Sequence, residues 1–340
     1  MTKVNLMRTS PKPSCLACGC SGSYLYQDMP DRLFGVAGIW QIKVCSNAAC
    51  GMLWLDPAPI AEDLPMAYQN YYTHASQAVK GTTLFSKITA GYLAKTYQYE
   101  ASSVKVWQRA IGTLLSWMTF FKEHMDYPFV YFKNASKGRL LELGVGSGET
   151  LSLFNRWGWH AEGLDFDPQA VKNAASKGLT VHQGDIFSQQ FEGNSFDAVF
   201  SSHVLEHVPD PLAVLKESFD ILKPEGIFVA VTPNKNSRLH YFFKRNWRGL
   251  EPPRHLHIFT PNALASAARQ AGFSRVEIKS SNYSTAGVFF VSYQISRFER
   301  IDIGDWSILR YLAQLVRFVS NIMFWFSPLS GEELILIAYK

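Results

Sequence analysis

The apolar run Arg139-Leu-Leu-Glu-Leu143 leads directly into Gly144-Val-Gly146-Ser-Gly148, and an amphipathic stretch follows at once. Alternate glycines strip a turn of its Cβ atoms and permit left-handed backbone, so the segment reads as strand, tight turn and helix N-terminus, with backbone open to close approach by a ligand. A second apolar run, 160–165, ends in Asp165, 21 residues after Gly144. A carboxylate at that place can accept hydrogen bonds from both hydroxyls of a ribose. Glycine turn and acid together point to a ligand that contains a nucleoside. The G-V-G-S-G form is shorter than the G-x-G-x-x-G turn that grips a pyrophosphate.

The rest of the block 138–281 alternates short apolar runs with amphipathic ones, the pattern of a parallel sheet with crossover helices. Strands are expected at 139–143, 160–165, 179–184, 196–202, 226–232 and 275–280. Helices are expected from 149, at 168–177, at 211–222 and at 260–271, and a last strand at 333–339. Charge is distributed unevenly around this block. The net +5 of the 340 residues averages −7 over 138–234 with +5 over 1–137, +5 over 235–254 and +2 over 255–340. Hydrophobic residues at 47% and charged ones at 18% exclude a mainly disordered chain.

An acidic block suits a cation better than a pyrophosphate, and S-adenosylmethionine carries a sulfonium and no phosphate. Residues 138–281 resemble a class I S-adenosylmethionine-dependent methyltransferase in LLELGVGSG, AEGLDFDP, HQGDIF, FDAVFSSHVLEHV, ILKPEGIFVAVTPN and the closing ELILIAYK. The resemblance implies an α/β fold with a Rossmann-like, seven-stranded, mostly parallel sheet. It also implies that Gly144, Gly146 and Gly148 line the methionine part of the cofactor, with Glu142 supporting their loop. Asp165 would hold the ribose, Phe166 would pack on the adenine, Asp185 and the Ile186 backbone would read its edge, and Ser202 completes the cofactor-binding set.

All five cysteines fall in residues 1–60. Cys15-x2-Cys18 and Cys45-x4-Cys50 form two knuckles whose four thiolates fit a structural, tetrahedral Zn²⁺, whereas Cys20 is awkwardly placed two residues from Cys18. Residues 1–60 are read as a zinc-ribbon-like module and 61–137, which lack proline between Met66 and Tyr127, as a helical linker or lid. Residues 138–340 are read as the methyltransferase domain with a helical insertion at 282–331. The knuckles, the Asp56-Pro-Ala-Pro59 segment and the Tyr71-Tyr72 pair resemble a bacterial family of methyltransferases acting on sugars, polysaccharide precursors and related metabolites. The resemblance does not extend to the large C-terminal domain of the sugar C-methyltransferases, and their reaction is not carried over.

His203-Val-Leu-Glu206-His207 spells the H-x-x-E-H of an inverted zinc protease, but it follows a strand directly rather than lying within a long helix. The segment also resembles that of ubiquinone-pathway O-methyltransferases, in which an acid, Glu and His hold a divalent cation. Glu206 and His207 match, whereas His203 replaces the acid. For a hydroxyl acceptor a general base is wanted, and His203, His207, His255 and His257 are candidates, with His255 preferred.

Lys235, Arg238, Lys244, Arg245, Arg248 and Arg254 lie among Tyr241, Phe242, Phe243 and Trp247. Such a stretch can hold an anionic acceptor, nucleic acid or a membrane surface, or stand as a solvated loop. In 307–326, Arg310, Gln314, Arg317 and Asn321 form a polar stripe on an apolar helix, which suits either interfacial membrane contact or, preferably, burial of the apolar face against the core. No apolar run has the length of a signal-peptide core or a membrane span, so the expectation is a cytoplasmic enzyme with reduced cysteines, with peripheral membrane contact left open. The acceptor is expected to be a small or lipid-linked molecule, a sugar or an anionic intermediate. Rival readings are an RNA methyltransferase gripping nucleic acid through its zinc module, disfavoured because 15–50 hold only Arg32 and Lys43 against Asp28 and Asp31, and a non-catalytic, membrane-associated binding module.

Overall fold

The computed structural model describes residues 7–68, 84–99, 103–117, 119–299 and 307–340. Tyr71 and Tyr72 lie outside them. The N-terminal segment holds strands β1 (Thr9–Ser10), β2 (Gly22–Met29), β3 (Trp40–Cys45), β4 (Leu53–Leu55) and β5 (Ala58–Pro59). Helices α1 (Leu84–Tyr97), α2 (Val106–Leu115) and α3 (Thr119–Asp126) follow. Then come β6 (Arg139–Leu143), α4 (Glu149–Arg156), β7 (His160–Asp165), α5 (Pro168–Ser176), β8 (Val181–Gln183), β9 (Phe196–Ser202), α6 (Pro211–Ile221) and β10 (Leu222–Pro233). The chain continues through α7 (Arg238–Phe243), β11 (His257–Ile258), α8 (Pro261–Gln270), β12 (Arg275–Ser281), α9 (Thr285–Phe298), α10 (Ser307–Phe324) and β13 (Glu333–Tyr339).

Seven strands form one sheet in the order β12-β13-β10-β9-β6-β7-β8. The pairs β6–β7, β6–β9 and β7–β8 are parallel. Strand β13 runs against β10, since Asn234, just past the end of β10, bonds Glu332 before β13, while Lys340 after β13 bonds Gly226 near the start of β10. The sheet therefore reverses its strand order between β6 and β9, the place where open α/β sheets bind ligands beyond their carboxyl ends. The expected strands and helices of this block are all present. Strand β10 starts earlier than its sequence suggests, at Leu222, whose side chain is fully buried. The preceding residues are already tied down by Asn194 N–H to Asp220 O and Ser195 N–H to Ile221 O.

By its contacts the chain divides into two units: residues 1–71 with 202–216 and 230–338, and residues 72–201 with 217–229 and 339–340. The second unit has an aromatic core in which Phe132 meets Phe154 at 5.2 Å, Phe154 meets Phe200 at 5.4 Å and Phe129 meets Trp157 at 4.8 Å between ring centres. Each such edge-to-face pair is worth about 0.5–1.5 kcal/mol beyond the area it buries. Trp157 donates Nε1–H to the Tyr97 carbonyl at 2.8 Å, and the buried Asp126 accepts from the hydroxyls of Tyr92 and Tyr97. Helix α5 starts where its sequence dictates, with Pro168 in the first turn and Asp167 accepting from Gln169 N–H.

In the first unit the N-terminal strands form a four-stranded sheet, β11-β4-β3-β2, whose last strand comes from the Pro-Pro-Arg-His-Leu-His-Ile-Phe segment. Its inner face packs Trp40, Ile42, Leu53 and Leu55 with Leu239, Phe243, Trp247, Leu256 and Ile258. The cysteine knuckles are fastened to the same region. Thr260 donates to the Cys50 carbonyl at 2.5 Å and caps α8 by accepting from Ala263 N–H, while Asn262 and Gln270 donate to the carbonyls of Ala49 and Ala17.

Candidate active site

Beyond the carboxyl end of β6, Gly144, Gly146 and Gly148 all adopt positive φ, at 72°, 52° and 76°. At Gly146 the space beside the backbone is open, and at Gly148 a Cβ would press on Leu179 and Ala174 from α5, so that only glycine gives both the turn and the helix packing. The loop is held from the neighbouring strand. Gly144 N–H donates to Leu164 O at 2.8 Å, Gly146 N–H to Asp165 Oδ2 at 2.8 Å, and Asp167 N–H to Asp165 Oδ1 at 2.9 Å. Each Asp165 oxygen has accepted one bond and keeps further lone-pair capacity for a ligand. Gly184 N–H donates to Asp165 O, which brings the Asp185–Ile186 segment to the same end of the sheet. Asp185 is exposed and accepts from Ser188 N–H through its side chain, so in the structure it shapes its own turn; Ile186 is buried and Phe166 exposed.

Beneath the loop Glu142 is buried, and its Oε2 has no hydrogen-bond partner among the described residues. Burial, and then the nearby Asp165, raise its carboxyl well above the ordinary value, and burial also raises that of Asp165. An open glycine cradle backed by two desolvated acids, one with an orphaned oxygen, fits the ribose and the cationic centre of S-adenosylmethionine.

In the other unit, the chain leaves β9 at Ser202, which is half-buried, and enters a left-handed residue, His203, at φ 55°. A β-branched or bulky side chain is rarely held there, and His203 is fixed by three bonds: its N–H to Val231 O, Nδ1–H to Glu206 Oε1 at 3.0 Å and Nε2–H to Glu333 Oε1 at 3.3 Å. Desolvation opposes the charge, but the two carboxylates prevail and push the ring up to about 10, an effect that water moderates because the side chain is 43% exposed. His203 is thus held as a cation, which removes it as a base at neutral pH. The same contacts bring Glu206, against the cost of its burial, down to about 2.

Glu206, His207 and His255 each offer an atom within 4.8 Å of the others. His255 lies within hydrogen-bond distance of Gly249 O through Nδ1 at 2.7 Å, and His207 of Arg254 O at 3.1 Å and of the Tyr68 hydroxyl at 3.0 Å. A carbonyl only accepts, so Nδ1 carries the proton in both rings and Nε2 presents a lone pair. Burial lowers both histidines, His255 to about 4, and keeps them neutral. Glu206 Oε2 has no partner among the described residues. Two neutral imidazoles and a free carboxylate oxygen at this spacing can pass a proton or share a cation. His257, the remaining candidate, points its backbone into β11 opposite Trp54 and is buried and lowered to about 4 by desolvation.

Two sequence expectations change here. Arg254 belongs by sequence to the basic stretch that can hold an anionic acceptor, but it is fully buried: its guanidinium bonds both oxygens of Asp31 at 2.8 Å and Glu251 Oε1 at 2.9 Å and lies over the Phe34 ring. Arg248 pairs with the other oxygen of Glu251. Neither is available to hold an anionic acceptor, because the loop that carries His255 uses both to stay folded. The partner Asp31 was legible only as a charge, since it lies in the N-terminal segment.

Of the cysteines, Cys15 and Cys50 approach to 3.6 Å and Cys18 and Cys45 to 3.4 Å between sulfurs, and all four lie within 4.8 Å of one another, without Cys20. A tetrahedron with Zn–S of about 2.3 Å has sulfur separations of about 3.8 Å, so the donor set and its spacing fit zinc.

A family model described as a methyltransferase domain matches residues 122–278, just under half of the chain. Ubiquinone biosynthesis O-methyltransferases are among the similar proteins: that of Neisseria meningitidis is 29% identical over 160 residues, covering 43% of this chain and 67% of that protein. That of Cereibacter sphaeroides is 31% identical over 153 residues, 42% and 62%, and that of Dinoroseobacter shibae 32% over 161 residues, 43% and 64%. The chain thus spans about two thirds of the length of these relatives. Among solved structures, a SAM-dependent methyltransferase from Archaeoglobus fulgidus aligns with TM-score 0.43 at 20% identity over 67% of this chain and 98% of that one. With the strand order, the glycine loop and Asp165 in place, these matches support S-adenosylmethionine-dependent methyl transfer by the domain that includes residues 122–278.

Proposed function

We propose that the protein transfers a methyl group from S-adenosylmethionine to a hydroxyl of a small acceptor, a sugar or an anionic biosynthetic intermediate, free or lipid-linked. The observation that carries the reading is the pair of half-buried His207 and buried His255 beside ionised Glu206, in a chain whose domain carries the cofactor cradle. When bound, the cofactor supplies a methyl group on a sulfonium, already activated for in-line displacement. The glycine loop, Glu142, Asp165, Phe166, Asp185, Ile186 and Ser202 bind and orient it, since such a transfer depends mostly on positioning. His255 Nε2 takes the hydroxyl proton, with Glu206, and with Glu251 at 3.7 Å, stabilising the imidazolium that forms. The relatives named for O-methyl transfer in ubiquinone biosynthesis support an oxygen acceptor.

Cys15, Cys18, Cys45 and Cys50 hold a structural zinc in a module we place at residues 1–60. Through Thr260, Asn262 and Gln270 the module steadies the segment that follows His255 and α8 behind it. Nucleic-acid binding by the module is not favoured, since Lys43 is paired with Asp56 and Arg32 donates to Asn246.

Labelled S-adenosylmethionine supplied with fractionated metabolites, lipids and RNA tests the reading. Label is expected in a small-molecule or lipid-linked fraction and is expected to fall sharply with His255→Ala. Label confined to RNA, or full transfer by the His255 variant, overturns it.

A further inference from the structure

Helix α10 leaves most of its large apolar side chains outside and buries part of its polar stripe. Its buried positions are Leu309, Ala313, Arg317, Ser320 and Asn321, so of the polar stripe Arg317 and Asn321 face the protein, where Asn321 accepts from Asn282 Nδ2–H at 2.9 Å, while Arg310 and Gln314 are exposed. The expected burial against the core is met only by a narrow line that includes Leu309 and Ala313, and most of the large apolar side chains stay outside. Tyr311, Leu315, Phe318 and Ile322 face outward, and Trp325 and Phe326 just beyond the helix are 77% and 87% exposed. Each large apolar side chain left in water forgoes about 1.5–3 kcal/mol of burial, and a continuous row of them on a helix face marks a surface that is covered in use.

The row does not stand alone. Arg238 donates from Nη2 to Met323 O at 2.7 Å and from Nη1 to Ser320 O at 3.4 Å, fastening α7 to the end of α10. From α7, Tyr241 and Phe242 are 85% and 72% exposed, and exposed Lys244 and Arg245 follow directly. Neither 235–250 nor 307–331 contains an Asp or Glu, so apolar row, aromatic tip and cationic rim share one charge sign.

We propose that α10 and the Tyr241–Phe242 tip of α7 form a docking face for an anionic lipid bilayer, with α10 lying in the plane of the headgroups. The helix does not cross: its 18 residues span about 27 Å against about 30 Å of hydrocarbon, and among the described residues no helix is long and apolar enough for that. Lying flat, it sinks its outward face to the acyl boundary, sets Tyr and Trp at the interface where they are favoured, and leaves Lys244, Arg245 and Arg310 to the phosphates, at about 1 kcal/mol per cation. A second copy of the chain is the poorer partner, because a two-fold pairing of this face brings two acid-free basic rims together. The inference goes beyond the methyl-transfer reading and does not depend on it.

Flotation of the full chain with phosphatidylcholine vesicles, with and without phosphatidylglycerol, tests it. Binding is expected to the anionic vesicles, to weaken with salt, and to fall by about 100-fold or more in Phe318→Glu/Ile322→Glu, which forgoes the burial of two side chains. Because both positions are exposed, the variant should keep the wild-type circular dichroism and cofactor affinity. Absence of vesicle binding by the wild type, equal binding by the variant, or a wild-type dimer in sedimentation that the variant dissolves would each overturn the proposal.

Discussion

Replacing Arg254 by methionine keeps much of the apolar length of the side chain and removes its charge from a fully buried position. Asp31 then loses two bonds of 2.8 Å and Glu251 loses one of 2.9 Å. Removing one partner from a buried pair typically costs about 3–5 kcal/mol, because the remaining carboxylates stay desolvated without a cation. Asp31 keeps backbone N–H donors from Leu33, Phe34 and Val36, and Glu251 keeps Arg248, which places the expected loss at the lower end, about 3 kcal/mol. The loss should depend on pH. Burial alone would raise Glu251, but Arg248, His255 and Arg254 hold it below the ordinary carboxylate value. A depressed acid contributes stability that is present above its unfolded pKa, about 4.3, and disappears as pH falls through the folded one. With Arg254 gone the depression is smaller, so the gap between wild type and variant should be full near neutrality and narrow only as pH falls below about 4. Denaturant melts read by Trp40, Trp54 and Trp247, which are buried in the same unit, measure the gap. Arg254→Lys, which keeps the charge but not the fork, should recover part of the loss. Asp31→Asn combined with Arg254→Met should cost less than the two separately, by about 1–3 kcal/mol. Additive single effects, or a gap below about 1 kcal/mol at neutral pH, would refute the assignment of this network as what holds the His255 loop.

Asp165→Ala should raise the dissociation constant for S-adenosylmethionine by about 100-fold or more, as one backbone bond to the glycine loop, one to Asp167 and the ribose contact disappear together; calorimetry giving a change below about threefold would count against the cradle. Cys15→Ser/Cys18→Ser should lose one equivalent of zinc by elemental analysis and speed amide exchange in 257–270, and a metal-free wild type would sink that reading. His240 and His257 are buried and pulled down to about 4 by desolvation, each from an ordinary 6.5. Their neutral forms favour the folded state above the unfolded pKa, so stability should be full above about pH 6.5 and decline towards about pH 4, by about 3 kcal/mol for each. Melts that stay level across that window would show that these rings remain solvated.

Which parts of this molecule could be read from its sequence follows from how far apart the deciding residues lie. The strands of the central sheet each carry their own apolar run and boundary signal, and the glycine turn is a contiguous motif, so the left-handed turn at Gly144 to Gly148 and the strand that ends in Asp165 are legible from the sequence. The cysteine spacing likewise named four sulfurs that converge. By contrast, the bonds that join Arg254 to Asp31 span 223 residues, and the pairing of β11 with β4 depends on a two-residue strand without a pattern of its own. Periodicity can find charged residues, but it cannot say which of them will meet.

Helix α10 shows a different limit. Its sequence states that one face is polar and the other apolar, and that statement is unchanged if the helix is rotated by half a turn. Which face turns inward is decided by what the neighbours offer. Here Asn282 donates to Asn321, and Arg238 donates to the carbonyls of Ser320 and Met323, so the C-terminal half of the helix meets polar partners. A buried Arg317 and an exposed Phe318 on adjacent residues would be a folding error in a helix whose surroundings were only water. The same arrangement is consistent when the second solvent is a lipid, which is what the proposed docking of α10 requires of its orientation.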